Sequence, residues 1–187
     1  MSNKSFEEKL HTLIIGGAKS GKSTLALELA QKHIKSETGN PSGLFIATAS
    51  IQDQEMRLRI EAHKKERGNR WYTIEEGIRI GFILENHLDS FDVAVIDCIT
   101  LWVSNILLNT AETMEQQIEN LERALTRAQR PVILVSNEVG LGIVPDNKLA
   151  RHYRDILGRV NQRFARLCPR VIFMAAGIPL ILKGPKL

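Results

Sequence analysis

Residues 16–23 read Gly16-Gly17-Ala18-Lys19-Ser20-Gly21-Lys22-Ser23, between the apolar run Leu13-Ile14-Ile15 and a helical stretch from Thr24 to about His33. The pattern is G-x-x-x-x-G-K-[ST], and strand, loop and helix follow in the order that gives it meaning. Glycines let the backbone curl until its N–H groups point at one centre, and the helix behind adds the positive end of its dipole. Such a loop cradles the phosphates of a nucleoside triphosphate. Lys22 reaches the outer phosphates and Ser23 helps to hold a magnesium ion. All eight residues of the loop are expected nucleotide contacts. The loop alone leaves open what happens to the phosphates.

A strand that feeds such a loop belongs to a parallel sheet, and the rest of the chain agrees. Short apolar runs recur at His11–Ile15, Gly43–Thr48, Val93–Asp97, Pro131–Ser136 and Val171–Ala175. They are apolar at consecutive positions, as strands covered on both faces must be. A weaker strand is expected at Trp71–Ile74, and Leu180–Lys183 reads as a final antiparallel strand after the turn Gly177-Ile178-Pro179. Helical patterns lie between, over 54–67, 112–129 and Lys148–Leu167, the last with Asp146 as its expected N-cap. Its second face is basic, with Arg151, Arg154, Arg159, Arg163 and Arg166, a pattern that ordinarily faces solvent. The expected fold is therefore a three-layer α/β domain over 11–187, preceded by a loose extension, 1–10. Ligands of such sheets bind at the carboxyl ends of the strands. The loop, Ala47–Ser50, Asp97–Thr100 and Ser136–Glu138 should thus converge on one cleft.

Composition narrows the function by exclusion. The chain has 187 residues, 43% of them hydrophobic, and a net charge of +4 that is too weak and scattered to argue for nucleic acid. No apolar run approaches the roughly 18 residues of a membrane span. Cys98 and Cys168 form no C-x-x-C pair and lie in apolar stretches, which fits reduced thiols in a cytoplasmic protein.

Six residues outside the loop are weighed for chemistry. Asp97 ends an apolar run, where an acid in phosphate-loop enzymes holds magnesium; the alternative is a turn residue. His63 shares roughly 60° of helical arc with Met56 and Ile60, so it faces inward. It is either a core histidine or a nucleophile toward phosphorus, with Lys64, Lys65 and Arg67 nearby to screen charge. Asp53 reads as a helix cap, and Glu55 as the partner of Arg59. Glu138 enters a loop broken by Gly140, Gly142 and Pro145, and either faces the cleft or serves as a surface acid. Glu75, just past the weaker strand, is counted among the expected nucleotide contacts.

These residues resemble a known family, the bifunctional adenosylcobinamide kinase / adenosylcobinamide-phosphate guanylyltransferases of cobalamin biosynthesis. The matching stretches are the loop, Ile46–Ala49, Asp53–Met56 with Arg59–His63, Arg67 and Trp71, Asp97–Asn105, Ser136–Pro145 continuing to Gln162, and Ala176–Leu180. They span about 11–183, and Lys19 stands where arginine is frequent. The resemblance implies a RecA-like phosphate-loop fold, a trimer, and two reactions. In the first, a nucleoside triphosphate, ATP or GTP, phosphorylates the hydroxyl of the aminopropanol arm of a corrinoid. In the second, GTP guanylylates a histidine, which His63 matches, and the guanylyl group passes to the phosphorylated corrinoid. Lys22 and Ser23 carry over as phosphate and magnesium contacts, and Asp97 as the acid of the magnesium site. Competing readings are guanylyl transfer alone, a different small-molecule kinase, and a GTP-dependent switch.

Overall fold

The seven strands line up in the order β3-β2-β4-β5-β1-β6-β7, with every neighbouring pair parallel except β6 and β7. They are β1 (Thr12–Gly16), β2 (Gly43–Ala47), β3 (Trp71–Glu75), β4 (Val93–Asp97), β5 (Val132–Asn137), β6 (Arg170–Ala175) and β7 (Ile178–Lys183). The helices are α1 (Lys22–Gln31), α2 (Ile80–His87), α3 (Ile99–Asn109), α4 (Met114–Arg127) and α5 (Lys148–Leu167). This computed structural model describes residues 11–35, 41–49, 68–109 and 113–187.

Strand residues alternate between two apolar clusters, which is why whole strands are apolar. Leu13, Leu44, Ile46, Ala94, Ile96, Val132 and Leu134 face α2, α3, α4 and α5. Ile14, Phe45, Val93, Val95, Ile133 and Val135 face Leu25, Ala26, Leu29 and Ala30 of α1. A sheet buried on both faces needs no polar stripe. The expected α/β fold with its mainly parallel sheet and C-terminal antiparallel strand is thus observed. β7 begins at Ile178, two residues before its expected start, because the turn after β6 is already closed at Gly177, where φ is 81°.

Helices α2 and α3 are absent from the sequence-based reading. Both are apolar around most of their circumference, so neither shows the two-faced pattern that marks a surface helix. Trp102 of α3 is fully buried, donates its indole N–H to the Ile78 carbonyl at 2.7 Å, and lies against Phe164 of α5. Helix α5 spans the expected residues, but its N-cap is Asn147 rather than Asp146. The Asn147 side-chain oxygen accepts from the Leu149 and Ala150 N–H groups. Asp146 stands one residue too early for that geometry. At the far end, Lys183 of β7 donates to the carbonyls of Ala165, Arg166 and Cys168 at 2.8–2.9 Å, satisfying the last turn of α5. A β-bulge between Val171 and Ile172 sets that register.

His11 lies at the same end of the sheet, where β1 and β6 begin. Its buried imidazole donates from Nε2 to the Leu125 carbonyl at 2.9 Å and accepts at Nδ1 from the Val132 N–H at 3.1 Å. That pairing requires a neutral ring. Burial lowers its pKa from 6.5, with the bond to Leu125 opposing the shift. The unfolded chain therefore binds a proton at higher pH than the folded chain does. Stability should be unaffected by this group above about pH 6.5 and should fall as pH drops toward the lowered folded value. Urea titrations between pH 7 and 5 should show a smaller loss in His11→Gln than in the unmodified protein; equal slopes would contradict the assignment.

Candidate functional site

The phosphate loop is shaped by two backbone constraints. Gly16 lies beside Met174 of β6, and a Cβ there would come within 2.4 Å of the Met174 carbonyl oxygen. Gly21, at φ 91°, turns the chain into α1 and has no side chain to cap it. Lys19 also has positive φ, at 53°. Alternation of this kind turns successive N–H groups inward and makes an anion-binding concavity. The loop is tied to its neighbours by the Glu138 N–H, which donates to the Gly16 carbonyl, and by the Gly177 N–H, which donates to the Ser20 carbonyl.

Lys22 is almost fully buried, and its ammonium folds back on the loop, donating to the Gly17 carbonyl and to Ser20 Oγ. Burial lowers its pKa; Cys98 and Asp97 act in the opposite direction. Burial pushes the Cys98 thiol up to about 11, helped by the adjacent Asp97. The thiol is therefore neutral near pH 7, and Asp97 is the charge that balances Lys22 there. A buried cation within electrostatic reach of one carboxylate is an arrangement that suits an anionic ligand.

The four expected strand ends do converge. Thr48, fully buried, donates Oγ1–H to the Cys98 carbonyl and accepts the Cys98 N–H at the same oxygen, both at 2.7 Å. Its own N–H donates to the Asp97 carbonyl. Asn105 Nδ2 donates to the carbonyls of Thr48 and Gly77, joining the ends of β2 and β3. Thr100 Oγ1 accepts the Asn137 N–H at 2.7 Å, and Tyr153 donates its hydroxyl to the Thr100 carbonyl. Asn161 accepts from Ser136 Oγ and donates to the Asn137 carbonyl. None of these supporting residues was assigned a role from sequence. Thr, Ser and Asn are too common in loops for their identity to signal one.

Ser23 is partly buried in the first turn of α1, and Asp97 is partly buried at the end of β4. Both offer hard oxygen donors of the type magnesium takes. Among the described residues no group of three or more His, Cys, Asp or Glu could hold a metal ion unaided. Magnesium bound here would complete its shell with phosphate oxygens and water. Glu75 is exposed at the end of β3, four strands from β1, so about 19 Å separates their axes. Glu138 turns its carboxylate back onto the Gly140 N–H at 2.7 Å, a loop-stabilising contact. After it, Leu141, Ile143 and Val144 are exposed, Ile143 almost fully. His63, Asp53, Glu55 and the 54–67 helix lie outside the described residues.

The basic face of α5 is not uniformly solvated. Arg163 makes a bidentate pair with Glu122 of α4 at 2.6 and 2.8 Å and also reaches Glu115, contacts that raise its pKa. Arg151 donates to the carbonyls of Pro145 and Asp146, bracing the loop that follows Glu138.

Residues 12–182 match the family model described as cobinamide kinase / cobinamide phosphate guanyltransferase (CobU). The chain belongs to that family. It is 40% identical over 182 residues to the bifunctional adenosylcobalamin biosynthesis protein CobP of Pseudomonas aeruginosa, covering 95% of this chain and 100% of that protein. It is 37% identical over 186 residues to the bifunctional adenosylcobalamin biosynthesis protein CobU of Escherichia coli K12, covering 91% of this chain and 98% of that one. The match runs through both the loop and Asp97, so the convergence of strand ends belongs to a phosphoryl-transfer fold and is not an incidental cleft.

The Thr48 hydroxyl makes a direct test. Thr48→Val keeps the volume but leaves the Cys98 N–H and carbonyl without their partner, at a cost of about 1–3 kcal/mol. We expect a lower denaturation midpoint and a fall of roughly tenfold or more in phosphoryl transfer as Asp97 loses its position. Unchanged turnover would show that the clamp does not position the acid.

Proposed function

We propose that this chain performs both family reactions on one phosphate cradle. First, the terminal phosphate of ATP or GTP passes to the hydroxyl of the aminopropanol arm of adenosylcobinamide. Then His63 attacks the innermost phosphorus of GTP, the bond to pyrophosphate breaks, and the imidazole loses its proton. The guanylyl group next moves to the phosphate oxygen of adenosylcobinamide phosphate, giving adenosyl-GDP-cobinamide and freeing the histidine. The observation that carries the reading is the buried Lys22 set against Asp97 in a chain of this family. Kinase transfer requires in-line geometry and neutralisation of the terminal phosphate, and these two residues with Ser23 suit both needs.

Within this reading Gly16–Ser23 contact the triphosphate through backbone N–H groups, and Lys22 binds its outer phosphates. Ser23 and Asp97 hold magnesium, which spreads the charge of the transferring group. Glu75 contacts nucleotide on the guanylyl-transfer side, close to the end of β2 where the segment bearing His63 departs. The protein works as a cytoplasmic homotrimer over a single domain. Exposed Ile178 and Leu180 on the edge strand, and Leu141 and Ile143 after Glu138, are apolar side chains that assembly or the corrinoid would remove from water. No helix among the described residues is long and apolar enough to cross a membrane.

Incubation with GTP labelled at the innermost phosphate should give an acid-labile, alkali-stable label on His63. His63→Asn should lose the label while keeping part of the kinase activity; undiminished labelling would remove His63 as nucleophile. Lys22→Ala should lower both activities by about 10²–10³. Survival of either one at full rate, measured by product formation from each labelled nucleotide, would mean that the loop is not the shared triphosphate site.

A further inference from the structure

A groove of about 420 Å³ begins at Gly21 and runs along α1. Thr24, Glu28 and Leu29 form one wall; Met174, Pro179 and Leu187 form the other, from the β6–β7 hairpin and the chain's last residue. Its lining is mostly apolar, with a carboxylate, a hydroxyl and the Lys32 ammonium at the rim. That size and mixture are typical of a seat for a small organic ligand.

Position gives the groove its meaning. The cradle has two ends. Lys22 and Asp97 mark the end where the terminal phosphate, the metal and the acceptor hydroxyl must meet, on the β4 side of β1. The first turn of α1, Gly21 to Thr24, marks the other end, and there the groove opens toward β6 and β7, across β1 from Asp97. A triphosphate with its terminal group at Lys22 must run its inner phosphates over that turn and deliver its nucleoside beyond it.

We propose that this groove seats the purine nucleoside of the phosphate donor in the kinase step. The proposal rests on the phosphate-loop reading above. A flat heteroaromatic ring lies between the exposed Thr24 and Glu28 on the α1 wall and Pro179 on the hairpin wall, over a floor of the buried Leu29 and Met174, whose thioether favours contact with a ring edge. The Glu28 carboxylate accepts from ring N–H or exocyclic amino groups, which both adenine and guanine offer. The donor's base therefore sits on the opposite side of the loop from Glu75, and the two transfers use one phosphate cradle with two base seats.

Two measurements test this. Photolysis of the unmodified protein with 2-azido-ATP, followed by peptide mapping, should place label within Thr24–Lys32 or Met174–Leu187. Label confined to the segments around Ala47–Thr48 or Glu75–Arg79 would overturn the proposal while leaving the phosphate-loop reading intact. In Glu28→Trp the new ring fills the groove, and the dissociation constant for ATP should rise by roughly tenfold or more. That for inorganic tripolyphosphate, which has no base, should stay within about twofold. No change for either ligand, or equal loss of both, would overturn the groove as a base seat. Failure of the unmodified protein to bind either ligand would sink the underlying reading as well.

Discussion

One threonine hydroxyl holds the business edge of this sheet together. The strands of a doubly covered parallel sheet end in backbone groups that have left the ladder but not yet reached water. At the end of β4, where the chain turns from Asp97 into α3, Thr48 satisfies both the N–H and the carbonyl of Cys98 with a single oxygen. Its own N–H takes the Asp97 carbonyl, and its own carbonyl takes Asn105. Two neighbouring strands and the helix after one of them are thereby fixed around Asp97. Thr100, Ser136 and Asn161 repeat the device between β4, β5 and α5.

The electrostatics follow from that packing. Burial disfavours charge at Lys22, Cys98 and Tyr153 alike, pushing the Tyr153 hydroxyl up to about 12. The thiol and the phenol respond by staying protonated. The amine stays useful because a carboxylate stands beside it, and a polyanion would strengthen the effect. The same low-dielectric surroundings thus silence two groups and sharpen a third.

The strands were legible because burial on both faces leaves a run of apolar residues that few other structures require. Helices α4 and α5 were legible because each has one wet face. Helices α2 and α3 were not: in Ile80–Leu84 the exposed position is filled by the apolar Phe82, and Ile99–Val103 is buried on nearly every side, so neither segment carries the polar stripe that gives the helical period away. In the site, the loop and Asp97 announced themselves through spacing and position. Thr48 and Asn105 did not, because their roles depend on partners 50 and 57 residues distant. The N-cap of α5 lies one residue beyond its expected place, because Asp and Asn are equally good caps and only the backbone decides which of the adjacent pair stands where it can accept from the first turn.

Lys183 has a consequence beyond capping a helix. Its ammonium grips three carbonyls at the end of α5, so β7 is anchored on the side of the sheet away from α1. The same hairpin is fastened at its near end as well, where the Gly177 N–H of the turn donates to the Ser20 carbonyl of the phosphate loop. The hairpin is thereby a strut between the tail of α5 and the phosphate loop, so a change in packing at either fastening is carried to the other.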